Sequence, residues 1–243
     1  MNKLLIILLN LGLLAFAVAQ QSFQSDTIKT ESGNIVLTFI GHGTLMFNVE
    51  GKIVHIDPVS RYADYSEMPK ADLILITHHH GDHLDPEAVG HIRTEKTRII
   101  CSALCAEKLQ DVTVMENGDS LEILGIAIDA VPAYNIKHLR DNGEPFHPKG
   151  VGNGYLLKYG GIKIYVAGDT ENIPEMKNLS NIHIAFLPMN LPYTMTPEMV
   201  TDATEMFHPD ILYPYHYGNT DVNELLKLMG DQKETEVRIR ELR

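Results

Sequence analysis

Leu73-Ile74-Leu75-Ile76-Thr77-His78-His79-His80-Gly81-Asp82-His83 is the stretch that decides the fold. Four apolar residues in a row after Asp72 read as a strand buried on both faces, the pattern of a core strand rather than a surface ribbon. The polar residues that follow leave this strand at a sheet edge. In extended chain, residues two apart point the same way, so His78 and His80 converge while His79 faces the other side. Gly81 permits a sharp turn that brings Asp82 and His83 back toward the same point. Three imidazoles and a carboxylate make a donor set for a borderline-soft divalent ion, zinc being the natural occupant.

Outward from this stretch the chain alternates short strands with capped helices. Ile35–Ile40, Leu45–Val49 and Lys52–Ile56 read as strands, with Glu50-Gly51 as a hairpin turn. Asp85-Pro86-Glu87 supplies an N-cap and a first-turn proline for a helix through about Ile92. Arg98–Cys101 reads as a strand, Ala103–Leu109 as a helix, and Val112–Met115, Leu121–Ile123 and Ala127–Val131 as further strands. In the second half, Tyr155–Tyr159 and Ile162–Val166 flank the hairpin signal Gly160-Gly161. Ile184–Leu187 and Ile211–Tyr213 read as short buried strands. Thr196-Pro197-Glu198 caps a helix to about Phe207, and Val222–Met229 is a short amphipathic helix. The tail from Gln232 alternates charge, as a last strand or a frayed end. Two β-rich halves carrying helices, without sequence repetition, predict two sheets packed face to face with helices outside.

Composition narrows the function. The chain has 243 residues, enough for one α/β domain, and its 44% hydrophobic and 21% charged content is that of a globular protein. A net charge of −12 repels a phosphate backbone, so nucleic acid is not an expected partner. Two cysteines are too few for a disulfide framework. Cys101 and Cys105, across a strand–helix boundary, read as buried small hydrophobes rather than a bridge. Gly-x-Ser-x-Gly does not occur, which leaves serine hydrolysis without support. Gly150-x-Gly152-x-Gly154 is too closely spaced for a dinucleotide fingerprint.

The N-terminus speaks to compartment. Lys3, an apolar run from Leu4 to Val18 and Ala17-Val18-Ala19 are the three parts of a secretory signal peptide. The run, interrupted by Asn10 and Gly12, is shorter than the ~20 residues of a membrane span. Residues 1–19 are therefore expected to be a cleaved leader. Residues 20–243 are expected to form a single domain, exported to the periplasm or secreted, with no integral span after cleavage.

His78-x-His80-x-Asp82-His83 resembles the signature of the metallo-β-lactamase superfamily, and the resemblance runs from about Val36 to Gly218. It implies a four-layer αββα sandwich and a largely binuclear hydrolase chemistry, with a further His, a bridging Asp and a last His still to come. Ala167-Gly168-Asp169-Thr170 matches the bridging-aspartate motif. Tyr213-Pro214-Tyr215-His216-Tyr217-Gly218 matches the last histidine. The third-motif histidine of the family follows Pro-Ala-x, but Val131-Pro132-Ala133-Tyr134 is followed here by Asn135. His147, in Phe146-His147-Pro148-Lys149-Gly150, is the preferred substitute; Asn135 through its amide oxygen and His138 are the alternatives.

The resemblance then implies His78, His80 and His147 around one ion and Asp82, His83 and His216 around another, with Asp169 bridging. Two Zn2+ are expected, with Mn2+ as an alternative occupant. Hydroxide formed between the cations would attack an electrophilic centre, and Asp82 would carry the proton to the leaving group. Ile40-Gly41-His42-Gly43-Thr44 and His55-Ile56-Asp57-Pro58 resemble the lactonase-like branch, which includes ascorbate-6-phosphate lactonases and relatives of N-acylphosphatidylethanolamine-hydrolysing phospholipase D. That likeness implies His42 near the pocket and Asp57 supporting a ligand histidine.

The expected activity is metal-dependent hydrolysis of a small ester, lactone or phosphodiester. A metal-binding protein without turnover is one alternative. An iron-dependent oxidoreductase on the same fold is the other, and His80 argues against it, because di-iron relatives place a carboxylate at that position. Leu191-Pro192-Tyr193-Thr194-Met195 and Tyr215-x-Tyr217 either line the pocket or pack beneath a loop, and Lys149 and Lys137 could meet an anionic substrate. His91, His183 and His208 read as surface or capping residues. Oligomeric state leaves no mark in the sequence.

Overall fold

The computed structural model describes residues 22–230 and 234–243; the leader read at residues 1–19 lies outside them. Among the described residues two mixed sheets form, each of seven strands taken in chain order. The first comprises β1 (Gln24–Thr30), β2 (Gly33–Gly41), β3 (Thr44–Val49), β4 (Lys52–Ile56), β5 (Leu73–Ile76), β6 (Arg98–Cys101) and β7 (Thr113–Val114). Its first three pairings are antiparallel and its last three parallel. The second comprises β8 (Ser120–Ile123), β9 (Ile126–Ala133), β10 (Gly152–Tyr159), β11 (Ile162–Val166), β12 (Ile184–Pro188), β13 (Ile211–Tyr215) and β14 (Glu236–Val237). It repeats the same sequence of pairings.

Helices fill crossovers between parallel strands, as a parallel connection requires. These are α1 (Pro86–Ile92), α2 (Ala103–Ala106), α3 (Pro197–Phe207) and α4 (Val222–Met229), with a 3-10 turn at Pro174–Asn178. The caps read from sequence form: the Asp85 side chain accepts from the Glu87 and Ala88 N–H groups, and Thr196 accepts from Met199.

The layering follows from strand periodicity. On β5, Leu73 and Leu75 join the core between the sheets, where they meet Leu37, Phe39, Ile128, Tyr155 and Phe186. Ile74 and Ile76 point the other way and pack with Ala88, Val89 and Ile92 of α1. A strand whose every residue is buried thus separates an inter-sheet core from a sheet–helix core, which is the αββα sandwich. Cys101 and Cys105 are free thiols buried in that outer layer.

Two elements differ from the sequence reading. Strand β1 was not expected, because Gln24–Thr30 is polar and half exposed; it is fixed at Asp26, which accepts from Tyr213 Oη and from Arg240 Nη2 on the far sheet's C-terminal segment. Helix α2 stops at Ala106 instead of reaching Leu109, leaving six residues to return the chain to β7. The tail supplies β14, parallel to β13. Among the described residues no helix is long and apolar enough to cross a membrane.

Candidate metal centre

The centre gathers at the ends of β2, β4, β5, β11 and β13. Asp57 organises its floor. Directly after β4, with its backbone in the left-handed region (φ 46°), it is fully buried. One carboxylate oxygen accepts the Thr77 N–H (2.7 Å); the other accepts the Thr77 hydroxyl (2.6 Å) and Nδ1 of His83 (2.7 Å). Asp57 therefore fixes where β5 ends and which nitrogen His83 leaves free. Thr77 Oγ1 lies 3.0 Å from His78 Nδ1, so His78 likewise presents Nε2.

The turn after His80 is closed by His83 N–H and Leu84 N–H on the His80 carbonyl (3.1 and 2.8 Å), returning Asp82 and His83 to the centre. Gly81 is not what permits it: its φ is not left-handed, and a Cβ there would meet nothing within 4 Å. Gly43 matters more, since a Cβ would stand 2.6 Å from Cε1 of His83. His42, at the tip of the β2–β3 hairpin, has φ 54°; its carbonyl accepts the His216 N–H (3.1 Å), and its ring lies between Tyr62 and His216.

His147 is the histidine that reaches the centre in place of a third-motif one. Its N–H and Nδ1 lie 2.9 and 2.6 Å from Oδ1 of Asn135, which leaves Nε2 aimed at Asp169 Oδ2, 3.1 Å away. Asn135 is thus turned to His147, while its Nδ2 donates to Glu171 (3.1 Å) and the Tyr193 carbonyl (2.9 Å). His138 is turned away onto Glu171, 2.9 Å from its Oε1. Glu171, which the sequence reading passed over, also accepts the Ile136, Lys137 and His138 N–H groups and so pins the loop bearing Asn135.

Among the described residues, three groups have donor atoms within 4.8 Å of one another: His78, His80 and His147; His42, Asp82, His83 and His216; and His78, His83 and Asp169. Every residue read as a ligand other than the Asn135 and His138 alternatives falls in one of them, and His42 is an addition. His79 falls in none. A tetrahedral site with bonds of ~2.0–2.1 Å has donor–donor edges of ~3.3–3.4 Å. The separations here bracket that edge: 3.1 Å for His78 Nε2–His80 Nδ1, 3.3 Å for His83 Nε2–Asp169 Oδ1, 3.4 Å for His42 Nε2–Asp82 Oδ2, and 3.5 and 3.6 Å from His216 Nε2 to Asp169 and Asp82. His83 Nε2, both His216 nitrogens and Asp169 Oδ1 are buried without a hydrogen-bond partner. Unpaired buried donors and acceptors converging at these spacings fit divalent cations and carry a cost without them.

The charges agree. Burial and the neighbouring imidazoles depress His78 and His80, the latter to about 4, keeping their lone pairs available. Burial alone would raise Asp169, but His216, His83 and His147 outweigh it and hold the carboxyl well below its usual range. A cleft of about 330 Å³ opens over the centre, lined by His80, Asp82, Arg140, Phe146, Asn190 and Tyr193 among others. Of the expected pocket residues, Tyr193 lines this cleft, whereas Thr194, Met195, Tyr215 and Tyr217 are buried in packing. Lys149 is paired with Glu175 (2.6 Å), not with the cleft.

The Beta-lactamase superfamily domain matches residues 36–216 of the chain. The UPF0173 metal-dependent hydrolase of Thermococcus onnurineus is 32% identical over 221 residues, spanning 82% of this chain and 94% of that protein. A crystal structure from Parabacteroides distasonis, assigned as a metal-dependent hydrolase, is 49% identical and superposes with a TM-score of 0.87 over 91% of this chain and all of its own. Igni18, a metallo hydrolase of Ignicoccus hospitalis, is 25% identical with a TM-score of 0.71, over 86% of this chain and 95% of its own.

Proposed function

This chain belongs to the β-lactamase superfamily, and from that premise we propose that it is a binuclear metal-dependent hydrolase of a small ester, lactone or phosphodiester, acting after export. The observation that carries the reading is Asp169, whose Oδ1 faces His83 while Oδ2 faces His147 and His216, so that one carboxylate spans two donor clusters. His78, His80 and His147 would hold one cation, Asp82, His83 and His216 the other, with Asp169 between them; zinc suits this mixed imidazole–carboxylate set, and manganese is the alternative. A pair of divalent cations held there would supply acidified water and Lewis acidity toward the scissile carbonyl or phosphoryl oxygen.

The chain's own groups do the rest. Asp82 stands on the cleft wall, its side chain about one-third exposed, and its Oδ2 is engaged by His42 and His216. Burial works to raise its pKa, but those two imidazoles prevail and keep it ionised. The remaining oxygen, Oδ1, takes the proton of the attacking water and returns it to the leaving group. Asp57 and Asn135 hold His83 and His147 with one ring nitrogen each turned inward, a supporting arrangement common behind metal-binding histidines.

The test is metal content by mass spectrometry on the purified mature protein, followed by a lactone, ester and phosphodiester screen. Two zinc or manganese ions per chain, with turnover abolished in a folded Asp169→Ala variant, are expected. One ion or none after loading, or full turnover in Asp169→Ala, overturns the reading. Two ions with no substrate turned over would favour metal binding without catalysis.

A further inference from the structure

Among the described residues, Arg140 is the one arginine or lysine on the wall of the cleft above the metal centre. It stands in a loop closed by the Arg140 N–H to the Glu144 carbonyl (2.7 Å) and by the Gly143 N–H to the Arg140 carbonyl (2.8 Å). Its guanidinium lies over the Phe146 ring, 4.9 Å from the centroid, and Nη2 donates to the Phe146 carbonyl (3.2 Å). Phe146 in turn meets Tyr193 edge to face at 5.1 Å. The guanidinium is therefore braced on an aromatic pair that lines the cleft.

What it lacks is an anion. Among the described residues no carboxylate lies within ion-pair distance of Arg140, and Nε and Nη1 make no hydrogen bond. Of the seven arginines of a chain of net charge −12, Arg238 and Arg240 pair with Asp26 and Arg93 with Asp111; of the four without an ion pair among the described residues, Arg140 is the one that lines the cleft. A planar fork held in place with open donors matches a carboxylate or phosphate two-pronged. The centre beneath points the same way: two divalent cations among neutral imidazoles and the carboxylates of Asp82 and Asp169 would leave the cleft floor positive.

We propose that the substrate carries an anionic group, carboxylate or phosphate, separate from the scissile bond, and that Arg140 binds it. This rests on the hydrolase reading above and adds the substrate's charge. Arg140 sets specificity and takes no part in bond cleavage.

The experiment uses the metal-loaded full chain and two matched esters, mono(4-nitrophenyl) glutarate, which ends in a carboxylate, and neutral 4-nitrophenyl butyrate. Arg140→Gln is expected to raise KM for the glutarate ester at least tenfold, with kcat within about twofold and the butyrate constants unchanged. Arg140→Lys, which keeps the charge and loses the fork, should recover part of the difference. Equal KM changes for both esters, or none for the glutarate ester, overturn the proposal.

Should neither ester be cleaved, so that the hydrolase reading fails for esters, calorimetric titration with monomethyl glutarate and, separately, inorganic phosphate still decides. A tenfold or greater loss of affinity in Arg140→Gln sustains the anion site, and the probe showing the larger loss identifies the group. Unchanged affinity for both rejects it.

Discussion

Replacing Asn135 with alanine tests whether this residue orients His147. The side chain is 5% exposed and makes four hydrogen bonds: Oδ1 accepts from the His147 N–H and Nδ1, and Nδ2 donates to Glu171 and the Tyr193 carbonyl. At about 1 kcal/mol net for each bond, with partners left buried, the loss should be about 3–4 kcal/mol. His147 would also be free to rotate, and loss of such a support typically weakens a metal site 10–100-fold. Urea unfolding of chelator-stripped protein reads the first effect, and zinc competition against a chromophoric chelator reads the second.

Asn135→Asp sharpens the test. It keeps the acceptor for His147 but puts an oxygen in place of Nδ2, which lies 3.1 Å from Glu171 Oε1. Two carboxylates at that distance repel by roughly 5 kcal/mol at an effective dielectric of about 20. The Asp variant should therefore be less stable than the Ala variant at pH 8, and the gap should close by pH 5 as the pair takes up a proton. An Ala variant that unfolds at the wild-type urea concentration and binds zinc as tightly would refute the orienting role. An Asp variant as stable at pH 8 as wild type would instead refute the contact between Asn135 Nδ2 and Glu171.

Gly43→Ala should drive a Cβ into His83, 2.6 Å from Cε1; we expect 1–3 kcal/mol of lost stability and at least tenfold weaker binding of one ion, both absent if the hairpin simply shifts aside. His55 is fully buried and burial lowers its pKa to about 4. Its contribution is therefore complete above the unfolded value near 6.5 and is lost as pH falls toward 4, by about 3 kcal/mol. The urea midpoint of His55→Phe should be flatter than wild type over that range, and parallel curves would discard the assignment. Stripping the metal should lower Tm, since a ligand at a thousand times its Kd adds about 4 kcal/mol; scanning calorimetry with and without chelator measures this. His42→Ala, which removes a group 3.4 Å from Asp82, should weaken one of the two proposed ions and spare the other in a zinc titration.

The sequence showed those parts of the fold whose cause is local. Leu73–Ile76 is buried on both faces, and an unbroken apolar run signals that. Asp85 and Thr196 cap their helices because an acceptor before a proline is a short-range device. Strand β1 escaped notice because it is held by Asp26 pairing with Tyr213 and Arg240, almost two hundred residues or more away. At the site, the His78–His83 cluster is legible from spacing alone. The role of Glu171 is not, since its partners at Asn135–His138 lie some 35 positions earlier and meet it only once both sheets form. In sequence Lys149 is a loop lysine that could meet an anionic substrate, but in the fold Glu175 takes it up. Arg140 carries no signal in sequence; only the fold shows which loop cation faces the cleft.

Both sheets repeat the order of three antiparallel and then three parallel pairings, and each uses only strands from its own half of the chain. The proposed donors divide along the same line. His78, His80, Asp82 and His83 precede the turn at Asn117-Gly118; His147, Asp169 and His216 follow it. A polypeptide severed in that turn becomes a two-fragment system in which each piece can complete its own sheet. The shared core would draw the fragments together, and the proposed ions, each with candidate donors from both fragments, would act as the fastener. Reassembly of such fragments should then tighten with added zinc, making the metal centre a reporter of complementation as well as a site of chemistry.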